Sequence, residues 1–366
     1  MSSSVASAPT AGSAVTFSLV ARWQNLRALA WDRSLLYASR GYELLRGDFS
    51  SRSAPAEIGW EHVATFRPSQ WRSISVSNRL TSRLFRDGFH ALAVSQSGTL
   101  VGTVPGAIIT LRRGEKEFRV SHVIPRGTRP LHIAIVPNGR FYWGEYFDNA
   151  SREEVHIYGS SDQGESWRIA HTFPKGAVRH VHNVVHDPWG DCLWILTGDY
   201  GDECRILRAS YDLRRVETVL QGNQQARAVA MVPTEKGLFF ASDTPLEKNY
   251  VYRMDRSGTI SRLVPLSGSS IYGCRVEGNI FFSTLVEPSE VNPDQHVRVY
   301  GARVDQVDEK TWPALLAWRK DHWSMRFFQY GNAFLPEGKN DTNFLAVSTI
   351  AVQSDDMATS LYAVAA

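Results

Sequence analysis

Arginine, histidine and aspartate are concentrated in one nine-residue stretch, RHVHNVVHD (179–187). If the stretch is a strand, His180 and His182 point to the same face, because successive side chains of a strand alternate. Neutral imidazole is a common metal ligand and a general base near neutral pH. Arginine binds carboxylates through two parallel hydrogen bonds. The stretch therefore indicates acid–base, metal or anion-binding chemistry, with Arg179, His180 and His182 as candidates.

Acidic side chains recur directly after apolar runs further along the chain. The candidates are Glu145 with Tyr146 after RFYWG, Asp199 after LWILTG, Asp243 after LFFAS, and Glu287 within LVEPSEVNPDQ. Glycoside hydrolysis uses two carboxyl groups, one as the acid and the other as the base or nucleophile, and a tyrosine replaces the nucleophile in some enzymes. Acidic residues also form ordinary turns, which is the alternative interpretation.

The elements that must carry these residues are short strands. Helical periodicity is nearly absent, and β-rich runs recur instead: LLYAS, LVGTV, RFYWG, LWILT, LFFAS and NIFFS. Each run lies between two other short apolar runs, with turn residues separating them. A repeat of roughly 40–50 residues with several short strands is typical of a β-propeller made of four-stranded blades.

Seven stretches align as the first strands of blades. They are LRALA (26–30), FHALA (89–93), LHIAI (131–135), VHNVV (181–185), ARAVA (226–230), IYGCR (271–275) and FQYGN (328–332). The sequence thus predicts seven blades, with six as the alternative because the last two stretches match least well. The C-terminal SLYAVAA is a third strand without a fourth, so an N-terminal strand in VTFSLVARW is expected to complete the last blade and remove an exposed sheet edge.

The second residues of these stretches are expected to surround the mouth of the central channel. They are Arg27, His90, His132, His182, Arg227, Tyr272 and Gln329. Histidines from adjacent blades can converge on a divalent metal. The sequence therefore indicates a candidate metal site of His90, His132 and His182, with Gln329 as a further ligand. The alternative is that these histidines are structural and that no cofactor is required.

One octet, SSDQGESW (160–167), carries a resemblance to a known family. Its constrained residues are Ser160, Asp162, Gly164, Ser166 and Trp167. They match the Asp-box, Ser/Thr-x-Asp-x-Gly-x-Thr/Ser-Trp, of sialidase-like (BNR-repeat) β-propellers. The resemblance implies a hairpin between the third and fourth strands of a blade, away from the active site. Decayed copies of the box lie in 209–215, 253–259 and 302–312.

The arginine motifs of true sialidases have no counterpart in this chain. VIPRGTRP (123–130) and FRPSQWR (66–72) do not match the early Arg-Ile-Pro motif or the arginine triad. The chain resembles instead the wider group of Asp-box proteins, including bacterial ones associated with polysaccharide metabolism. Metal-dependent propeller lyases that act on pectate are an analogy at the level of the fold for the His/Gln metal arrangement.

Three functions follow from these residues. The first is a glycoside hydrolase-like activity on an acidic glycan or polysaccharide intermediate, with Glu145, Asp199, Asp243, Tyr146 and His182 as catalytic candidates. The second is a polysaccharide lyase with a histidine or tyrosine base or a metal. The third is a non-catalytic propeller that binds a glycan or a protein. The expected substrate-binding residues are Arg27, Arg179, His180, Arg227, Tyr272, Glu287 and Gln329.

Bulk properties exclude several other classes. The net charge is only +3, and lysine and arginine form no long runs, so no nucleic-acid partner is expected. No apolar stretch reaches the roughly 18 residues of a membrane span. Residues 1–14 are expected to be a disordered tail and 15–366 a single domain. Three cysteines, Cys192, Cys204 and Cys274, are too few for a disulfide framework and fit a cytoplasmic protein.

Overall fold

Seven sheets form the blades of a β-propeller, and within each blade the four consecutive strands pair antiparallel. The computed structural model describes residues 15–51, 58–76, 78–305 and 312–365. The predicted all-β, seven-bladed fold is therefore confirmed. The predicted N-terminal tail, 1–14, lies outside the described residues, as does 306–311 of the third decayed box.

The strands follow one another blade by blade. The first, β1 (Phe17–Gln24), belongs to the last blade. Blade 1 contains β2 (Arg27–Arg33), β3 (Leu35–Arg40), β4 (Glu43–Asp48) and β5 (Glu61–Thr65), and is followed by two short helices, α1 (Gln70–Ser75) and α2 (Arg79–Phe85). Blade 2 contains β6 (Ala91–Val94), β7 (Leu100–Val104), β8 (Ala107–Leu111) and β9 (Arg119–Val123). Blade 3 contains β10 (Ala134–Ile135), β11 (Phe141–Gly144), β12 (Val155–Ser160) and β13 (Arg168–Phe173).

The remaining four blades continue this order. Blade 4 contains β14 (His180–Asp187), β15 (Cys192–Gly198), β16 (Arg205–Ala209) and β17 (Val216–Gln221), with a 3₁₀ turn at Gly201–Glu203. Blade 5 contains β18 (Ala228–Thr234), β19 (Gly237–Ser242), β20 (Asn249–Asp255) and β21 (Ile260–Leu266). Blade 6 contains β22 (Tyr272–Val276), β23 (Asn279–Ser283), β24 (His296–Arg303) and β25 (Ala314–Arg319). Blade 7 contains β26 (Asn332–Phe334), β28 (Phe344–Ile350), β29 (Ala358–Val364) and β1, while β27 (Glu337–Asn340) pairs with β2.

The middle strands are apolar along their whole length because neighbouring blades cover both of their faces. Every residue of β7 and β8 is buried, whereas the fourth strand β9 has only half-buried and exposed residues. The core accordingly lies between blades: Leu44 of blade 1 packs in one cluster with Phe89 and Ile109 of blade 2. The first strands of neighbouring blades, such as β14 and β18, contact each other around the central axis.

The ring is closed by pairing between the two ends of the described chain. Strand β1 pairs antiparallel with β29, from Phe17 opposite Val364 to Gln24 opposite Ala358. This confirms the prediction that the N-terminal strand completes the last blade. A second link joins blades 7 and 1, since β27 runs parallel to β2 with Glu337 opposite Ala30.

The last blade begins later than the aligned stretch predicted. Strand β26 starts at Asn332, and Phe334 lies opposite Ser348 just as Tyr272 lies opposite Ser283 in blade 6. Phe334 therefore occupies the ring position that the alignment had assigned to Gln329. The segment 312–331 contains β25 and the loop that follows it.

The structure also bears on two predictions from the sequence, one about membrane-spanning segments and one about disulfide bonds. Among the described residues, no helix is both long enough and apolar enough to span a membrane. All three cysteines are free thiols, with Cys192 and Cys204 buried and Cys274 half-buried. The cysteines therefore form no disulfide with one another, as the sequence predicted.

Candidate functional site

Most of the predicted site residues of blades 3 to 6 gather at one end of the propeller. Because β14 and β15 are antiparallel, with His180 opposite Gly198, the start of the first strand and the end of the second share an edge. The loops that enter the first strands and those that leave the second strands therefore share one face. We call the group at this face the mouth cluster; it consists of Tyr146, Arg179, His180, His182, Asp199, Arg227, Asp243 and Glu287.

Three buried side chains converge at the centre of the mouth cluster. Nε2 of His182 lies 3.0 Å from Nε2 of His180 and 3.1 Å from Oδ1 of Asp199. Nε2 of His180 lies 3.3 Å from the same carboxylate oxygen. These three atoms can share protons or act together as ligands of a cation.

The backbone of blade 4 is shaped to admit the His182 ring. The pairing between β14 and β15 shifts register between Val181 and Asn183, so His182 is the extra residue of a β-bulge. Opposite the bulge, a Cβ atom on Gly198 would lie 2.4 Å from Cε1 of His182. Only glycine leaves room for the ring at this position.

Two arginines flank the central carboxylate. Nη1 of Arg179 lies 3.3 Å from Oδ2 of Asp199, and Nη2 of Arg227 lies 3.3 Å from Oδ1. Arg179 also contacts Asp148, and Nε of Arg227 lies 3.7 Å from Oδ2 of Asp243. Their side chains are 21% and 13% exposed, so both guanidinium groups are close to solvent at the mouth. The pair is placed to bind a further anion.

The carboxyl groups of the cluster are driven to different protonation states. Burial opposes ionisation of Asp199, but hydrogen bonds from His180 and His182, for which Nε2 of an imidazole must carry a proton, outweigh it and hold the pKa of Asp199 well below its usual range. Burial raises the pKa of Asp243 to about 7, against Arg227, and the charge of Glu287 adds to the rise. Burial also raises the pKa of Glu287. The site thus combines an ionised aspartate with one that is partly protonated at neutral pH.

Tyr146 closes one side of the histidine pair. Its ring centroid lies 4.3 Å from that of His180 and 6.1 Å from that of His182. Burial, together with the charges of Asp243 and Asp199, raises the pKa of its hydroxyl. The phenolate form is therefore disfavoured, and the ring is better suited to packing or to donating a proton than to nucleophilic attack.

Two polar residues of the site were missed by the sequence reasoning. Nε2 of Gln224 donates to the backbone oxygen of Asp199 at 2.9 Å, and its Oε1 accepts from Thr244 at 2.6 Å. The hydroxyl of Ser269 donates to Glu287. Both lie in loops that enter first strands, so their position in the repeat was the available signal, although glutamine and serine are common in any loop.

A second group surrounds a small cavity formed by the first strands, the axis cavity. It is lined by Arg27, His90, His132, Tyr272, Phe334 and Glu337. The Arg27 guanidinium carbon lies 3.9 Å from the centroid of the Phe334 ring, and its Nη2 donates to the backbone oxygen of His90 at 3.1 Å. Arg27 is therefore held by the protein itself rather than aimed at a ligand.

His90 and His132 lie at the axis cavity, apart from His182, the third residue of the predicted metal site. Nδ1 of His132 contacts a carboxylate oxygen of Glu337, a residue that the sequence did not single out. Burial, together with the charges of neighbouring arginines, lowers the pKa of His90 and keeps its ring neutral. His182 instead contacts the side chains of His180 and Asp199. The structure thus divides the predicted set between the axis cavity and the mouth cluster.

Two further predicted residues lie outside the mouth cluster. Glu145 is buried, and its carboxylate forms an ion pair with Arg126 and accepts from the amide of His156 at 2.8 Å. Its oxygens are therefore used to fix the loop after β11. Gln329 lies half-buried in the loop before β26, two residues before Gly331.

The octet 160–167 forms the hairpin between β12 and β13, the third and fourth strands of blade 3. Asp162 accepts from the amide of Ser166 at 3.0 Å and from the hydroxyl of Ser160 at 2.8 Å. Gly164 has a positive φ of 80°, and Nε1 of Trp167 donates to Ser121 at 3.1 Å. The hairpin lies at the end of the blade opposite the mouth cluster, so these residues stabilise a turn.

Comparison with known proteins identifies the fold. No protein-family model and no curated protein matches the sequence. Three solved structures are similar to this chain, each with a TM-score of 0.57: a chain of the mitotic checkpoint complex (9% identity), the Myceliophteria thermophila Cps50 (Swd1) β-propeller domain (10% identity) and an oligogalacturonate lyase in complex with manganese (8% identity). The match to the checkpoint-complex chain covers 99% of this chain and 98% of that one. The matches to Cps50 and to the lyase each cover 96% of this chain, and 100% and 96% of those chains, respectively. At such identities the likeness shows the fold alone: this chain is a β-propeller.

Proposed function

We propose that the protein acts on an acidic glycan or polysaccharide at the mouth cluster, in the manner of a glycoside hydrolase. The observation that carries this proposal is the pair of aspartates on either side of Arg227. The pKa of Asp199 is lowered, whereas that of Asp243 is raised to about 7. Two carboxyl groups whose pKa values are pushed apart suit the two roles of glycoside hydrolysis, with the neutral one as the acid and the ionised one as the base or nucleophile.

The two arginines support an acidic substrate. Arg179 and Arg227 both reach Asp199, and both are partly exposed at the mouth. A guanidinium has five N–H donors in a fixed plane, so each arginine can hold Asp199 and still donate to a second carboxylate. A uronate residue provides such a carboxylate, and an uncharged sugar does not.

A specific observation favours a second reaction, elimination from a uronate. His180 and His182 lie beside Asp199, and burial lowers the pKa of His182, which keeps it neutral. A neutral imidazole would take the proton α to the carboxylate; the bond to the leaving oxygen then breaks, a carbon–carbon double bond forms, and Asp243 protonates that oxygen. A solved propeller with the same fold is an oligogalacturonate lyase, which supports the same substrate class.

One assay separates these reactions. The protein is incubated with polygalacturonate, alginate and hyaluronate, and new reducing ends and ultraviolet absorbance are followed. Hydrolysis produces only reducing ends, whereas elimination also produces an unsaturated, absorbing uronate. We expect Asp243→Asn to abolish either reaction, whereas the exposed Glu247→Gln in the same loop leaves it unchanged.

The third function, binding without catalysis, makes a different prediction. If no acidic glycan is ever turned over, and glycan binding survives simultaneous substitution of Asp199 and Asp243 with asparagine, the enzymatic proposal is wrong. Turnover in the wild type that is lost in this double variant supports it.

A further inference from the structure

We propose that His180, His182 and Asp199 form a binding site for one divalent first-row metal ion, with Zn²⁺ as the best-suited probe. The observation is the arrangement of hydrogen-bonding atoms around the three side chains. It does not depend on the identity of the glycan and goes beyond the proposed hydrolase-like chemistry.

Two backbone carbonyl groups determine the tautomers of His180 and His182. Nδ1 of His182 lies 2.9 Å from the backbone oxygen of Ala228, and Nδ1 of His180 lies 3.1 Å from that of Phe147. A carbonyl oxygen can only accept, so each Nδ1 must carry the hydrogen. In a neutral imidazole the other nitrogen, Nε2, is then a bare lone pair. Two backbone carbonyls thus fix both histidines in the tautomer that binds metals through Nε2.

The Nε2 lone pairs of the two histidines face each other and the carboxylate of Asp199. The two Nε2 atoms and Oδ1 of Asp199 lie 3.0, 3.1 and 3.3 Å from one another. When both imidazoles are neutral, neither Nε2 carries a proton to donate to Asp199, so all three atoms are acceptors, and their residues are buried. Such an arrangement is repulsive unless a positive species lies between them. A single extra proton can lie on only one edge of the triangle, whereas a cation at its centre is bound by all three atoms.

The spacing also suits a metal. Zinc binds imidazole nitrogen and carboxylate oxygen at about 2.0–2.2 Å, so ligand atoms of a tetrahedral site are separated by roughly 3.4 Å. The observed edges are shorter by a few tenths of an ångström, which small rotations of the rings can supply. Two histidines and one carboxylate leave at least one position open, as in catalytic rather than structural zinc sites.

The charged groups around the proposed site determine its affinity for a metal ion. Arg179 and Arg227 both interact with Asp199 and repel a cation, whereas Asp243 and Glu287, which interact with Asp199, attract one when they are ionised. We therefore expect weaker binding than in a site without the arginines. Ion binding is also expected to draw an added anionic ligand to the same mouth.

The test is a calorimetric titration of ZnCl₂ into EDTA-treated, tag-free full-length protein. We expect uptake of about one ion per chain. His182→Gln should weaken binding by more than the ~10–100-fold typical of outer-shell mutations. His186→Gln, on the same strand but at its far end, is the matched control and should leave the affinity unchanged. His90→Gln tests the alternative metal site of the axis cavity and should also have no effect.

A measurement on the wild type keeps the test decisive if His182→Gln fails to fold. Imidazole ¹⁵N NMR reports directly on the ligand atoms, and Zn²⁺ should shift Nε2 but not Nδ1 of His180 and His182. No zinc uptake, with one imidazole of the pair doubly protonated instead, would overturn the proposal. Uptake that depends on His90 or that leaves both Nε2 signals unchanged would overturn it as well.

Discussion

Replacing Asp243 with asparagine should stabilise the protein at alkaline pH and not at acidic pH. Asp243 is 8% exposed, and its burial raises its pKa from 3.8 to about 7. Because the folded pKa is raised, the folded protein binds this proton more tightly than the unfolded chain does. The free energy of unfolding therefore falls as the pH rises from 3.8 to about 7. Asparagine has no proton to lose, so the variant lacks this fall.

The size of the stability difference between the wild type and Asp243→Asn follows from the shift in the pKa of Asp243. One pKa unit corresponds to about 1.4 kcal/mol, so the full shift sets an upper limit of about 4 kcal/mol. Arg227 lies 3.7 Å away and loses a partner in the variant, and Glu287 shares the repulsion. We therefore expect about half of the limit, ~2 kcal/mol in favour of Asp243→Asn at pH 8. Near pH 4 the two proteins should agree within ~0.5 kcal/mol.

Urea unfolding followed by tryptophan fluorescence, in EDTA and at several pH values, measures this difference. Glu247→Gln is the control, because Glu247 is exposed in the same loop and should parallel the wild type throughout. A wild type that is more stable than Asp243→Asn at pH 8, or a difference that does not change with pH, would refute the electrostatic account of the site.

Three further substitutions probe other parts of the structure. Gly198→Ala places a methyl group 2.4 Å from His182, so we expect a loss of ~1–3 kcal/mol in urea unfolding together with weaker zinc uptake. Asp162→Ala removes the hydrogen bonds of the blade 3 hairpin and should cost ~1–2 kcal/mol, with zinc and glycan binding unchanged in calorimetry. Asp187→Ala removes the carboxylate partner of Arg256, which keeps only the backbone oxygens of Thr234 and Glu235, and should cost about 3 kcal/mol in urea unfolding at neutral pH. Burial opposes ionisation of Asp187, but the hydrogen bond from Arg256 outweighs it and lowers the pKa, so in an acid titration this contribution should be lost as the pH falls below 3.8.

The propeller was predictable because its middle strands are continuous apolar runs at a regular spacing. The octet 160–167, interpreted as a hairpin between a third and a fourth strand, indicated the order of the strands within blade 3. The two helices were not predictable, since α1 and α2 bury only Ser75 and Arg83 and expose Trp71, Ile74 and Leu80. Their apolar residues therefore do not follow the pattern of a helix that packs on a core.

The membership of the site was only partly predictable. The acidic residues after β15 and β19 and the histidines of β14 lie close together, as expected from their positions in the repeat. The bulge at His182 was invisible in the sequence, and it turns this ring toward Asp199 rather than toward His132. The seventh aligned stretch was displaced because the aromatic loop FFQYG resembles a strand, which placed Gln329 where the structure has Phe334.

The most direct test of the account is calorimetric binding of a panel of oligouronates, each compared with its own methyl ester. The ester removes the carboxylate charge and changes little else. We predict that the free acids bind and that esterification, or Arg227→Gln in the protein, weakens binding at least ~10-fold, as expected for the loss of a charge-assisted bidentate contact. Equal binding of acids and esters, or binding that is unaffected by Arg227→Gln, would contradict the claim that the mouth cluster recognises an acidic glycan.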